Sequence, residues 1–269
     1  MKKKISTLSM AYILFLVLLF LSGALSGFLS DIVYLLAFIL PIFFALCFTR
    51  NEKKEKGEYL LLNREGIRLT LPLIAPTVSL VMLVAFLTSL IIFALTGETN
   101  DIDVGNSLIP ALFAHALLPA LLEEALFRYL PMRLLAPYSR RGAVIVSAFF
   151  FALVHHEFFS IPYAFLAGII FMTVDLATES VIPSVIIHFI NNAISVGLLV
   201  YDDNAAFAPA VYILLCVITL VSLVVIFVRR RQYLKKFSFA LDRGEGVRIT
   251  AEMLIFAGLS LSIAVMSLM

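Results

Sequence analysis

The sequence predicts an all-α fold, a polytopic transmembrane helical bundle of about eight to nine spans. Three observations predict it. Hydrophobic residues make up 62% of the 269, and charged residues only 14%, against about a quarter in a typical soluble domain. Mean hydropathy is +1.06. Apolar runs of about 20 residues, the length that crosses a hydrocarbon layer of ~30 Å, recur along the whole chain. So few polar groups cannot cover a water-facing surface, so lipid is the solvent for most of the exterior.

The expected spans, in order, are 9–28, 31–48, 71–96, 107–130, 142–158, 161–178, 181–200, 207–228 and 251–269. Each is read as helix because lipid offers backbone groups no partner and the runs are too long for barrel strands. The start, with Lys2, Lys3 and Lys4 before an apolar run, has the outline of a signal peptide. Its length and the segment that follows at once favour a first span. The fifth and sixth spans are short, which suggests tilt, a kink or a partly re-entrant path.

Lys and Arg placement sets the expected topology. The N-terminus, the loop 49–70 (Arg50, Lys53, Lys54, Lys56, Arg64, Arg68), the segment 131–141 (Arg133, Arg140, Arg141) and the stretch 229–237 are basic and expected in the cytoplasm. The acidic loop with Glu98, Asp101 and Asp103, and the turn at Asp202 and Asp203, are expected outside. These assignments alternate as nine spans require. The loops at 55–70 and 235–250 share a Glu-Gly-hydrophobic-Arg-hydrophobic-Thr ending just before a span, a weak internal echo.

No basic patch with interleaved aromatics suggests nucleic-acid binding. Cys47 and Cys216 lie in apolar runs without metal-ligand spacing and read as buried small residues. The informative residues are ionisable groups at membrane depth, which are costly and mark function. In the fourth span Glu124 and Arg128 are four apart and share a helical face, so they can pair. Glu123 points about 100° away and is left for chemistry. In the fifth span Phe151 and His155 share a face, with His156 and Glu157 following near its outer end. In the seventh, His188 and Asn192 share a face, and Asn191 is rotated from it toward backbone. His115 reads as packing or a local hydrogen bond. Asp175 and Glu179 read as a solvated or gate-lining edge. A carboxylate and imidazoles facing one cavity can polarise a water. A His beside an Asn can donate to a developing oxyanion. No HExxH or GxSxG signature is present.

These residues resemble the motifs EExxxR, FxxxH and HxxxN of the CAAX prenyl protease type 2 and bacteriocin-processing intramembrane proteases, the CPBP or Abi family. They stand here as Glu123-Glu124-Ala-Leu-Phe-Arg128, Phe151-Ala-Leu-Val-His155 and His188-Phe-Ile-Asn-Asn192, in family order. The resemblance implies an intramembrane endopeptidase with its site open toward the cytoplasm. Glu123 would activate water with His155 assisting, His188 and Asn192 would stabilise the oxyanion, and Glu124 and Arg128 would be the supporting pair. It leaves two chemistries open: a metal-free glutamate mechanism, or a Zn²⁺ held by Glu123, His155 and His188. The division implied is N-terminal helices and basic loop at 1–104, the catalytic core at 105–200, and C-terminal helices at 201–269.

The expected partners are the lipid bilayer and a peptide or membrane-protein substrate. The small size and basic loop point to a bacterial cell membrane, with peptide maturation or bacteriocin self-immunity as settings. Two rivals remain at this level: a catalytically silent scaffold or immunity protein, and a proton-coupled transporter, for which inverted repeats and broken helices are wanting.

Overall fold

In the computed structural model of the chain, residues 2–49, 59, 64–97, 105, 107–155, 160–241 and 249–266 are described. Among them there are ten helices and no strand. They are α1 (Lys2–Gly23), α2 (Gly27–Phe48), α3 (Arg64–Thr96), α4 (Leu108–Leu135), α5 (Arg140–Leu153), α6 (Ile161–Thr178), α7 (Ile182–Val200), α8 (Phe207–Val228), α9 (Arg230–Ala240) and α10 (Ala251–Met266). Seven are long and apolar enough to cross a membrane, and the chain is a multi-pass membrane protein.

All nine expected spans are helical, with shifted ends. α1 begins at Lys2 and stops at Gly23, where the expectation was 9–28. α2 starts at Gly27, whose φ of +58° favours glycine. α3 starts at Arg64, well before the expected 71. At 33 residues it is roughly 50 Å long, so it outruns the hydrocarbon layer and carries Glu65 and Arg68 past it. α5 ends at Leu153 rather than 158. With 14 residues it measures roughly 21 Å, too short to cross as a straight rod.

The four segments expected on one side of the membrane do gather at one end of the molecule. Lys4 Nζ lies 4.5 Å over the Tyr138 ring. The Val181 N–H donates to the Tyr59 carbonyl at 2.8 Å. Lys236 pairs with Glu65 at 3.2 Å, and Tyr233 donates to the Leu69 carbonyl. Arg140 pairs with Glu179 and lies 3.7 Å over Phe239. α9 is the polar helix that ties α3, α5 and α6 together there. Glu98, Asp101, Asp103, the basic residues of 50–56, and His156 with Glu157 fall outside the described residues.

The core is aromatic. Tyr12 of α1 packs on Phe127 of α4, Phe150 of α5 and Phe256 of α10, with ring centroids 5.2, 4.4 and 6.0 Å apart, so the first and last helices clasp the middle of the chain. α5 and α6 approach until a Cβ on Gly168 would stand 2.7 Å from the Ala148 Cα. Ser79 and Thr219 share a hydrogen bond of 2.8 Å between α3 and α8, the inter-helix polar contact that membrane helices use. Cys47 and Cys216, expected to be buried, are exposed on apolar helices. Where lipid is the solvent, an apolar side chain needs no protein cover.

Candidate active site

α4 is not a uniform α-helix. Two π-helical turns, Phe113–Leu117 and Ala125–Tyr129, bracket the segment that ends in Glu123 and Glu124. A π turn widens the helix and misaligns backbone bonds, and such turns are common at functional sites. Here the second turn is braced from outside. Tyr12 donates to the Leu126 carbonyl at 3.4 Å, and the Ser147 hydroxyl donates to that of Phe127.

Glu124 is the node of the site. Both it and Arg128 are fully buried (0%), with Glu124 Oε2 3.2 Å from Arg128 Nε. This is the pair expected from the four-residue spacing. The other oxygen, Oε1, accepts from His188 Nδ1 at 2.8 Å, so Glu124 bridges α4 to α7. The remaining Arg128 nitrogens meet aromatic rings rather than oxygens. The guanidinium carbon lies 4.1 Å over Phe151 and 5.6 Å from the Phe171 centroid, a cation–π cradle that partly offsets burying the charge.

Because the carboxylate accepts, His188 Nδ1 carries the hydrogen, and the other ring nitrogen is turned toward Glu123. His188 Nε2 and Glu123 Oε2 are 4.0 Å apart, and the Glu123 side chain keeps 20% exposure. One carboxylate is thus enclosed and committed, and its neighbour faces open space beside an imidazole. Tyr34 of α2 is within electrostatic reach of Glu123. Nothing in its sequence context signals that placement.

Phe151 joins the parts. Its ring meets His155 at 4.8 Å and His188 at 6.1 Å, both edge-on, as well as carrying Arg128. His155 lies in the turn just after α5, with Nδ1 2.9 Å from the Phe151 carbonyl. It reaches His188 through Phe151. Asn192 stands one turn beyond His188, and its side-chain oxygen accepts from Asn191 Nδ2 at 3.3 Å. Asn191 thus binds its neighbour's amide, where backbone was expected, and this points the Asn192 NH₂ group away from the pair.

Asp175 corrects an expectation. It is fully buried (0%), while Glu179 is solvated and paired with Arg140. Asp175 Oδ1 accepts from the Ser184 N–H at 3.0 Å, and Ser180 Oγ accepts from the Ile182 N–H at 3.2 Å. Pro183 has no N–H, so the first turn of α7 is fully capped. The sequence signal was Ser180 and Pro183 opening a helix. The carboxylate supplied by α6 is a tertiary contact that spacing does not reveal. His115, expected to pack, is exposed in the first π turn.

For the expected zinc ligands the fit is partial. Glu123 and His188 come together, but among the described residues no group of three or more His, Cys, Asp or Glu could hold a metal ion.

Residues 105–194 match the family model described as Type II CAAX prenyl endopeptidase Rce1-like. The matched segment contains all three motifs and every contact to Glu124. No curated protein matches, and no solved structure does. The fold, the order of the motifs and this match agree: the core of this chain, residues 105–194, belongs to the CAAX-type family of intramembrane endopeptidases.

Proposed function

We propose that the protein is a membrane endopeptidase that hydrolyses a peptide bond in a membrane-associated protein or peptide, with Glu123 as the base. The observation that carries this is the Glu124 bridge, which holds His188 Nε2 4.0 Å from the partly open Glu123 carboxylate. Glu123 takes a proton from water as the hydroxyl attacks the scissile carbonyl. The oxyanion forms beside Asn192, whose NH₂ donates to it. His188 donates from Nε2 only when it carries a second proton, because its Nδ1 hydrogen is already given to Glu124. The tetrahedral adduct collapses, the C–N bond breaks, and the proton on Glu123 passes to the leaving amine. His155, across the Phe151 ring, assists proton movement. Glu124, Arg128 and Phe151 orient His188.

No step is routed through zinc, since two rather than three of its expected ligands meet. The basic end is read as cytoplasmic on the distribution of Lys and Arg, in a cell membrane of bacterial type. Maturation of a signalling or leader peptide, or bacteriocin self-immunity, is the setting proposed.

The test needs no guessed substrate. Membrane and secreted peptides of cells carrying the wild type are compared by mass spectrometry with those of Glu123→Gln cells at equal membrane levels. A terminus that depends on Glu123 is expected. An unchanged peptide pool, with the cellular phenotype intact, would replace catalysis by a scaffold role.

A further inference from the structure

The elbow between α8 and α9 concentrates positive charge beside an apolar stripe. α8 ends at Val228 and α9 starts at Arg230, with Arg229 (φ −94°, ψ 15°) turning the chain. Residues 229–241 hold five basic side chains and no acidic one. Lys236 is taken by Glu65 at 3.2 Å. Arg230 donates to the Phe227 carbonyl at 3.4 Å and lies 4.9 Å from its ring. Among the described residues no carboxylate pairs with Arg229, Arg230, Arg231 or Lys235, and all four are exposed. A groove of about 430 Å³ is lined by Val228, the three arginines and Gln232.

The helix cannot swing away to disperse this charge. Its inner face is anchored by Tyr233 on Leu69, Lys236 on Glu65 and Phe239 under Arg140. Three guanidinium groups held in one groove repel one another, and each is a forked donor suited to phosphate oxygens. Leading up to them, Leu220, Val224, Phe227 and Val228 are all exposed and share one face of α8 by their spacing. A ligand that satisfies both features has a phosphate head and acyl chains.

We infer that the α8–α9 elbow binds an anionic glycerophospholipid of the leaflet at the basic end. Its phosphate sits among Arg229, Arg230 and Arg231, and its acyl chains lie along the Leu220–Val228 stripe. Each basic residue at such a surface adds about fivefold to the affinity for anionic lipid. A phosphatidylcholine carries its own cation, which cancels the charge that the groove selects.

The experiment is native mass spectrometry of the full chain, purified in detergent, with added phosphatidylglycerol, phosphatidylcholine or inorganic phosphate. Wild type is expected to retain phosphatidylglycerol, and R229Q/R230Q/R231Q to bind it at least roughly tenfold more weakly. Phosphatidylcholine retained as well as phosphatidylglycerol, or a triple variant that binds as wild type does, would overturn the site. Phosphate that displaces the lipid at millimolar concentration would make it an anion site without a role for the stripe, and so overturn the lipid. If the triple variant does not accumulate, the wild-type melting temperature decides: it should rise with phosphatidylglycerol and not with phosphatidylcholine, and equal effects would overturn the proposal.

Discussion

Glu124 Oε1 and His188 Nδ1 are 64 residues apart in the chain and meet at 2.8 Å inside the protein. Because Glu124 also faces Arg128 at 3.2 Å, one carboxylate is shared by a cation on its own helix and an imidazole on another. Removing it leaves both without their anion. Glu124→Ala should therefore cost about 3–5 kcal/mol of stability, the usual effect of leaving a buried charge without its partner. Glu123→Gln, at a partly open side chain, should leave the melting temperature near that of wild type and abolish peptide cleavage. Thermal unfolding in detergent, read beside the peptide assay, separates the two; equal loss of stability in both would mean that the neighbouring glutamates do not divide their roles.

Asp175 should tolerate asparagine and reject alanine. Asparagine keeps an oxygen to accept from the Ser184 N–H, whereas Asp175→Ala leaves that donor buried and unsatisfied, at about 1–3 kcal/mol. The start of α7 would then loosen, and His188 and Asn192 with it. Cleavage kinetics should show a lower kcat with little change in KM for alanine, and recovery with asparagine. A variant Asp175→Ala with wild-type turnover would show that the cap does not position the site.

Gly168 is expected to accept no side chain cheaply, because its Cβ would meet backbone, the Ala148 Cα at 2.7 Å. Gly168→Ala should cost about 1–3 kcal/mol by forcing α5 and α6 apart. The same substitution at Gly258, which has open space around it, is the control for melting measurements.

Phe151→Ala should lower stability by about 3–5 kcal/mol, as large-to-small core substitutions do. It removes the ring under the Arg128 guanidinium and the one surface that both His155 and His188 touch. Phe151→Tyr keeps the ring and should keep most of the stability. Loss of the same size in both variants would argue against ring stacking as the cause.

Elemental analysis of the purified protein is expected to find less than stoichiometric zinc, with cleavage surviving a chelator. The reason is geometric, since Glu123 and His188 meet without a third ligand. Stoichiometric zinc that disappears in Glu123→Ala would overturn this and return His155 to the ligand set.

Local spacing carried much of this site. The Glu124–Arg128 pair follows from a four-residue step within one helix, and the placement of Glu123 apart from it follows from the next residue's rotation. The gathering of the basic segments at one end follows from charge and span length. What spacing could not carry depends on a second helix. Asp175 has the profile of a solvated edge until Ser184 is brought against it. Tyr34 lies outside the motifs altogether. Cys47 and Cys216 were misplaced because burial was judged as though water were the alternative. The π turns of α4 leave no mark in the hydrophobic pattern, so their bracing by Tyr12 and Ser147 could not be foreseen.

Those two turns have a consequence for how the chain tolerates changes of length. A π turn holds one residue more than the α-helix it interrupts, so α4 behaves as three short rods joined by phase steps. Losing one residue within Ala125–Tyr129 would let the ladder close as ordinary α-helix and rotate everything before it by about 100° relative to Arg128. The two glutamates would sweep off His188 while the composition of the span stayed the same. In this helix a single-residue deletion is a rotation of the active site, and no substitution elsewhere along the rod can reverse it; only an insertion nearby restores the phase.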